Sequence, residues 1–241
     1  MAETQDLVLL HGALGTSSQL YPLAVALRSR FRIHQLDFEG HGNAPPRGRR
    51  FRIQHFAENV LELLDSAGVN QAKFFGYSMG GYVALSLALE FPDRVEKVAT
   101  LGTKFRWSPE TAEREAARLD PAVIAEKVPD FAKALTDRHV EAGGWEKVLA
   151  STAEFLRHLG ESPVLTDETL AFVLQPVRVI VGTRDNTVDV EESLSVSRAM
   201  PAGSLTELPE APHPIEQVDL EALVPVLFDF FSEPPPTEPD V

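Results

Sequence analysis

Gly76-Tyr77-Ser78-Met79-Gly80-Gly81 joins the apolar run Ala72-Lys73-Phe74-Phe75 to a segment rich in helix-forming apolar residues. At a strand-to-helix junction a Gly-x-Ser-x-Gly pattern has a mechanical meaning. The serine sits on a sharp turn with strained dihedrals, and the flanking glycines let the backbone double back without Cβ clashes. The Met79 amide then faces a reacting atom at the N-terminus of a helix, where the partial positive charge favours an oxyanion. An ordinary glycine-rich turn is the bland alternative.

A hydroxyl nucleophile needs a base, and the base needs an orienting carboxylate. Asp185 follows the strand-like run Val177-Arg178-Val179-Ile180-Val181-Gly182, and His213 follows the short run 204–208. The order Ser78, Asp185, His213 suits this kind of turn. Asp189 is the nearest rival carboxylate. After the first apolar run, His11-Gly12-Ala13-Leu14-Gly15 offers a second amide, that of Ala13, for an oxyanion. His11 and His41, each in a glycine-containing loop after a strand, read as buried residues that hold those loops rather than as bases.

These residues need a scaffold that brings strand ends together. Short apolar runs at Leu7–Leu10, Arg32–Leu36, Ala72–Gly76, Val95–Leu101, 177–182 and 204–208 alternate with amphipathic helical stretches, the pattern of a parallel sheet with helices on both faces. Gly68 and Pro92 mark helix ends. Between 104 and 175 the alternation stops and only helical periodicity remains, which predicts a helical insertion. The division expected is a core of 1–103 and 176–233, a helical cap of 104–175, and a disordered proline-rich acidic tail of 234–241.

With those motifs in place, the chain resembles the α/β-hydrolase fold family, in the capped branch of small esterases and C–C bond hydrolases. The resemblance covers about residues 7–231 and rests on HGALG, DFEGHG, GYSMGG, RDN and PHP taken together. It implies a three-layer α/β/α fold with a mostly parallel sheet. Only six residues precede Leu7, so the family's first two strands should be absent, leaving about six. It also implies a Ser78 nucleophile, a His213 base, an Asp185 partner, an oxyanion hole from the Ala13 and Met79 amides, and no cofactor or metal. Serine rather than aspartate at position 78 argues against dehalogenase or epoxide hydrolase chemistry of the usual family kind. Tyr82 stands where an arginine often follows the same run in relatives that handle carboxylate-bearing menaquinone precursors, which weakens that substrate class.

The expected function is hydrolysis of small, largely apolar carboxylic esters through an acyl-enzyme. The alternatives are a C–C bond hydrolase, lyase or perhydrolase with the same triad, or a non-catalytic receptor built on the same pocket. Leu14, Tyr77, Phe105, Trp107 and Trp145 are candidates for substrate contact, although aromatic residues of the insertion would mostly pack the cap itself. Arg47, Arg49, Arg50 and Arg52 form a basic cluster that either meets a substrate anion or is a solvated loop. The 241 residues contain no cysteine, which removes thiol chemistry and disulfides. A net charge of -14 disfavours nucleic acid or anionic lipid as a partner. No signal peptide or membrane span is visible, so a cytoplasmic location is the default expectation.

Overall fold

The computed structural model describes residues 5–232; the expected tail of 234–241 lies outside them. Six strands form one sheet: β1 Gln5–Leu10, β2 Phe31–Gln35, β3 Ala72–Tyr77, β4 Val95–Leu101, β5 Val177–Gly182 and β6 Gly203–Leu208. Their order is β2-β1-β3-β4-β5-β6, and every pairing is parallel. Strand starts and ends differ from the sequence reading by a residue or so, as at β2 and β6, which are the sheet edges.

Alternation along β1 builds the layers. Val8 and Leu10 face one core with Phe56, Phe74, Val83 and Val98, while Leu7 and Leu9 face the other with Leu27, Phe75, Leu223 and Phe231. Helices α1 (Tyr21–Leu27) and α10 (Leu220–Ser232) cover the second face; α2 (Ile53–Ser66), α3 (Met79–Glu90) and α9 (Val190–Ala199) cover the first. In α2 the buried residues Ile53, Phe56, Ala57, Val60 and Leu64 recur at three- and four-residue spacing, which is why it packs on one side only. Gly68, with φ of +67°, ends that helix in the left-handed conformation that glycine takes at no steric cost. By contrast α3 is buried from Met79 to Ala88, and it lies centrally against β3 and β4.

Between β4 and β5 the chain makes five helices and no strand: α4 Pro109–Ala116, α5 Pro121–Lys127, α6 Pro129–Arg138, α7 Trp145–Glu161 and α8 Asp167–Leu170. Proline opens α4, α5 and α6, where its missing N–H costs nothing, and Ser108 and Asp120 accept amide hydrogen bonds at the N-termini of α4 and α5. Ile124, Ala132, Leu135 and Leu149 form a small apolar cluster of their own within this segment. No helix among the described residues is long and apolar enough to cross a membrane.

Candidate active site

The strand order reverses direction at β1 and β3, and in open parallel sheets the loops beyond the carboxyl ends at that point form a crevice. Leu10 is in register with Gly76, so the loop after β1 and the turn after β3 emerge side by side. Ser78 lies on that turn with φ of 52° and ψ of -119°, a conformation an L-residue adopts only when the surroundings enforce it. Several hydrogen bonds do so. The Ser78 N–H donates to Leu101 O at 2.8 Å, and Ser78 O accepts from Gly81 N at 3.0 Å. Thr103 Oγ1 donates to the same carbonyl at 2.9 Å. The glycines are obligatory for space: a Cβ on Gly80 would lie 2.4 Å from Leu10 O.

Met79 is the first residue of α3, so its amide has no preceding helical carbonyl to pair with. The Ala13 amide, in the loop after β1, likewise has no acceptor among the described residues. Both Ala13 and Met79 line the same cavity as Ser78.

His213 Nδ1 stands 2.7 Å from Asp185 Oδ2, and the Asp185 side chain is almost fully buried. Asp185 Oδ1 accepts from the amides of Thr187 at 2.7 Å and Val188 at 2.9 Å. Both carboxylate oxygens are therefore acceptors, which places the proton on His213 Nδ1 and leaves Nε2 with its lone pair. Asp189, the rival carboxylate, instead caps α9 by accepting from Glu191 N and Glu192 N. His213 and Ser78 line one cavity, but no hydrogen bond joins them among the described residues. Nucleophile–base contacts in unliganded sites often tighten only when substrate binds. Gly102 escaped the sequence reading. Its φ is +58°, and a Cβ there would be 3.0 Å from Asp185 Oδ2 and 3.2 Å from His213 Nδ1, so the Asp–His pair packs onto bare backbone.

Two cavities meet at Ser78. The smaller, about 180 Å³, is lined mainly by apolar residues including Ile53, Met79, Trp107, Phe155 and Leu156. The larger, about 500 Å³, carries His213, Tyr77, Gln19, Arg138 and Glu216. Ala13 and Leu14 border both. Of the five candidate contact residues, Leu14, Tyr77 and Trp107 line one or both of the cavities at Ser78, whereas Phe105 and Trp145 line neither. Phe105, placed just past β4, turns into the core and is 1% exposed. Trp145 opens α7 and packs on the Ile124–Leu149 cluster. Aromatic residues of a segment that lacks a large core are recruited to fill it.

The basic cluster is engaged by the protein's own carboxylates. Arg47 binds Glu62 at 2.6 Å, Arg49 binds Glu39 and Glu58 at 2.6 and 2.5 Å, and Arg50 binds Glu154 at 3.1 Å. Arg52 donates to the Phe51 carbonyl at 2.6 Å. Of the two readings of this cluster, a grip on a substrate anion loses its support, because Glu39 is buried and must keep its partners.

His11 and His41 are buried, as expected for loop-holding residues. His11 Nε2 accepts from Phe38 N at 3.0 Å, so Nδ1 carries the proton and donates to Gly12 O at 2.8 Å. Burial lowers the His11 pKa from 6.5 to about 4, and it lowers that of His41 too. Between pH 6.5 and about 4 the unfolded chain takes up a proton at His11 that the folded chain refuses. Stability is therefore expected to fall as pH drops through that window, by roughly 3 kcal/mol for a shift of this size. Urea midpoints at pH 7 and pH 4.5 check this; equal midpoints would contradict it.

The family model described as alpha/beta hydrolase fold matches residues 7–142. A pimeloyl-[acyl-carrier protein] methyl ester esterase of Aeromonas hydrophila is 36% identical over 99 residues, which are 41% of this chain and 37% of that protein. The match thus spans little more than a third of that relative's length. Among solved structures, the enol-lactonase of Burkholderia xenovorans superposes with a TM-score of 0.77 at 25% identity, covering 96% of this chain and 93% of that one. A 2-hydroxy-6-oxo-6-phenylhexa-2,4-dienoate hydrolase of a Rhodococcus strain superposes with a TM-score of 0.78 at 25% identity, covering 95% and 91%. With the parallel sheet, the serine turn and the family match pointing one way, the chain belongs to the alpha/beta hydrolase fold family.

Proposed function

We propose that the protein is a serine hydrolase that cleaves small, largely apolar carboxylic esters through an acyl-enzyme. The observation that carries this reading is the strained Ser78 at the meeting point of two cavities, one of which also holds the Asp185-bound His213. In the reaction, His213 Nε2 takes the Ser78 proton as Oγ attacks the ester carbonyl. The amides of Ala13 and Met79 bind the oxyanion, each such donor typically contributing about 3 kcal/mol to the transition state. Collapse of the tetrahedral species breaks the C–O bond, and His213 returns the proton to the departing alkoxide. Water, deprotonated by the same nitrogen, then frees the acid and restores Ser78.

The division of the cavities supports one placement of the two halves of the substrate. His213 must reach the leaving-group oxygen and lines only the larger, polar cavity, so the alcohol departs that way. The acyl group takes the smaller apolar cavity, whose volume of about 180 Å³ favours short chains. The five helices of 104–175 act as a cap, since Trp107, Phe155 and Leu156 wall the acyl side and Phe131 and Arg138 the alcohol side.

A fluorophosphonate probe tests the reading directly. Labelling is expected at Ser78, mapped by peptide mass spectrometry, and p-nitrophenyl butyrate should compete with it and be turned over. Absence of labelling at Ser78 would overturn the proposal. The likeness to the dienoate hydrolase of the Rhodococcus strain favours C–C bond cleavage as a second reading. Turnover of a vinylogous diketone without ester turnover would select it.

A further inference from the structure

Two consecutive residues at the end of α6, Arg138 and His139, connect the α4–α8 segment to both loops that the proposed chemistry depends on. His139 is fully buried. Its Nδ1 accepts the Gly42 N–H at 3.0 Å, and its Nε2–H donates to Leu14 O at 3.0 Å. One imidazole therefore bridges the loop after β2 and the loop after β1, at sequence separations of 97 and 125 residues. Next to it, Arg138 binds Glu216 at 2.7 Å, three residues beyond His213.

We propose that His139 is a positioning residue that couples seating of the α4–α8 segment to the conformation of the Ala13–Leu14 loop, so that the oxyanion amide is in place only while the segment is docked. This rests on the reading of Ser78 as the nucleophile. Leu14 is held at φ of +58°, an unfavourable conformation for leucine, and its carbonyl is the atom His139 grips. The proposed oxyanion donor, the Ala13 N–H, belongs to the Gly12–Ala13 peptide, and the turn through Leu14 is closed by Gly15 N donating to Gly12 O at 3.1 Å, so a change at Leu14 is passed through that turn to the peptide that carries the donor. The other partner is equally constrained. Gly42 has φ of +54°, and a Cβ there would lie 2.3 Å from Asp37 Oδ2. Asp37 in turn accepts from Ser17 N at 2.7 Å and Asn43 N at 2.9 Å, cross-bracing the same two loops.

The bridge needs a neutral ring, since a protonated Nδ1 would face the Gly42 N–H with a second donor. Burial lowers the His139 pKa and so favours that neutral form. His41 packs between, with ring centroids 5.4 Å from His11 and 5.9 Å from His139. Undocking of the segment removes one acceptor and one donor from the two loops in a single step. A site that admits substrate by moving these helices would thus assemble its oxyanion hole as they return.

The test combines kinetics with hydrogen exchange on the full chain. In H139F, kcat for p-nitrophenyl butyrate is expected to fall between about tenfold and about 100-fold with KM changed by less than about threefold, because the loss is felt in the transition state. H139Q, which keeps one amide donor and one acceptor, should recover part of kcat. A kcat for H139F within about twofold of wild type, or a rise in KM that accounts for the whole loss, would overturn the proposal. Hydrogen exchange on the wild type decides the coupling even if H139F fails to fold. Peptides spanning 11–17, 38–44 and 129–140 should open together with one denaturant dependence, and opening of 11–17 independently of 129–140 refutes the link. If a fluorophosphonate leaves Ser78 of the wild type unlabelled, the nucleophile reading fails, and the exchange experiment still settles the coupling.

Discussion

S78A is expected to lower kcat for p-nitrophenyl butyrate by about a million-fold, with the protein still folded. In the proposed mechanism alanine removes the atom that forms the acyl bond, and water would then attack directly, helped by the two proposed oxyanion amides alone. D185N should cost about ten-thousandfold. The reason lies in the two acceptor roles of Asp185. An asparagine that keeps its oxygen on the Thr187 and Val188 amides turns its NH₂ toward His213 Nδ1. The imidazole would then shift its proton to Nε2 and lose the lone pair that must take the Ser78 proton. Steady-state rates with and without the mutations, alongside circular dichroism, check both expectations. Retention of a tenth or so of wild-type turnover by S78A would place the chemistry elsewhere.

A large stability effect is expected at Gly76. A Cβ there would lie 2.4 Å from the carbonyl carbon and oxygen of Gly80 and from Gly81 N, all of them backbone atoms. No side-chain rotation relieves such a contact, so α3 must move away from β3. G76A should therefore cost about 4 kcal/mol, the scale of the most damaging single substitutions, and lower Tm by about 10 °C. Gly48 supplies the control. Its φ is +68° but nothing lies within 4 Å of a Cβ, so G48A should show only the backbone cost of about 1 kcal/mol. Thermal melts of both variants decide the matter. A G76A melt within about 2 °C of wild type would show that the turn tolerates a side chain.

Much of this site could be read from the chain because its parts are local. A serine between two glycines, at the end of a buried strand and the start of a helix, specifies its own turn, and the unbroken apolar run Leu7–Leu10 marks β1 as a strand buried on both faces of the sheet. Asp185 and His213 could be picked out because each follows a strand in a parallel sheet, and such loops share one edge. What the chain did not display were contacts set by packing. Phe105 and Trp145 are the right type of residue for a pocket wall, yet side-chain type says nothing about which way an aromatic ring turns when a core beside it needs filling. The arginines of 47–52 had no visible partner, since Glu39, Glu62 and Glu154 reach them only after the chain has folded. Gly102 has no local signal at all, because what it must accommodate is a pair of side chains from later strands.

The near-neighbour chemistry of the chain was enough to establish a parallel α/β sheet, to mark a helical stretch between its strands, and to single out Ser78, Asp185 and His213 as candidates in that order. Folding alone decided that two cavities of different polarity meet at Ser78 and that His139 ties the insertion to the loops after β1 and β2. The difference is one of range. Periodicity and turn chemistry act over a few residues, so they are written in the sequence. A hydrogen bond between residues 97 or 125 positions apart depends on how every intervening element packs.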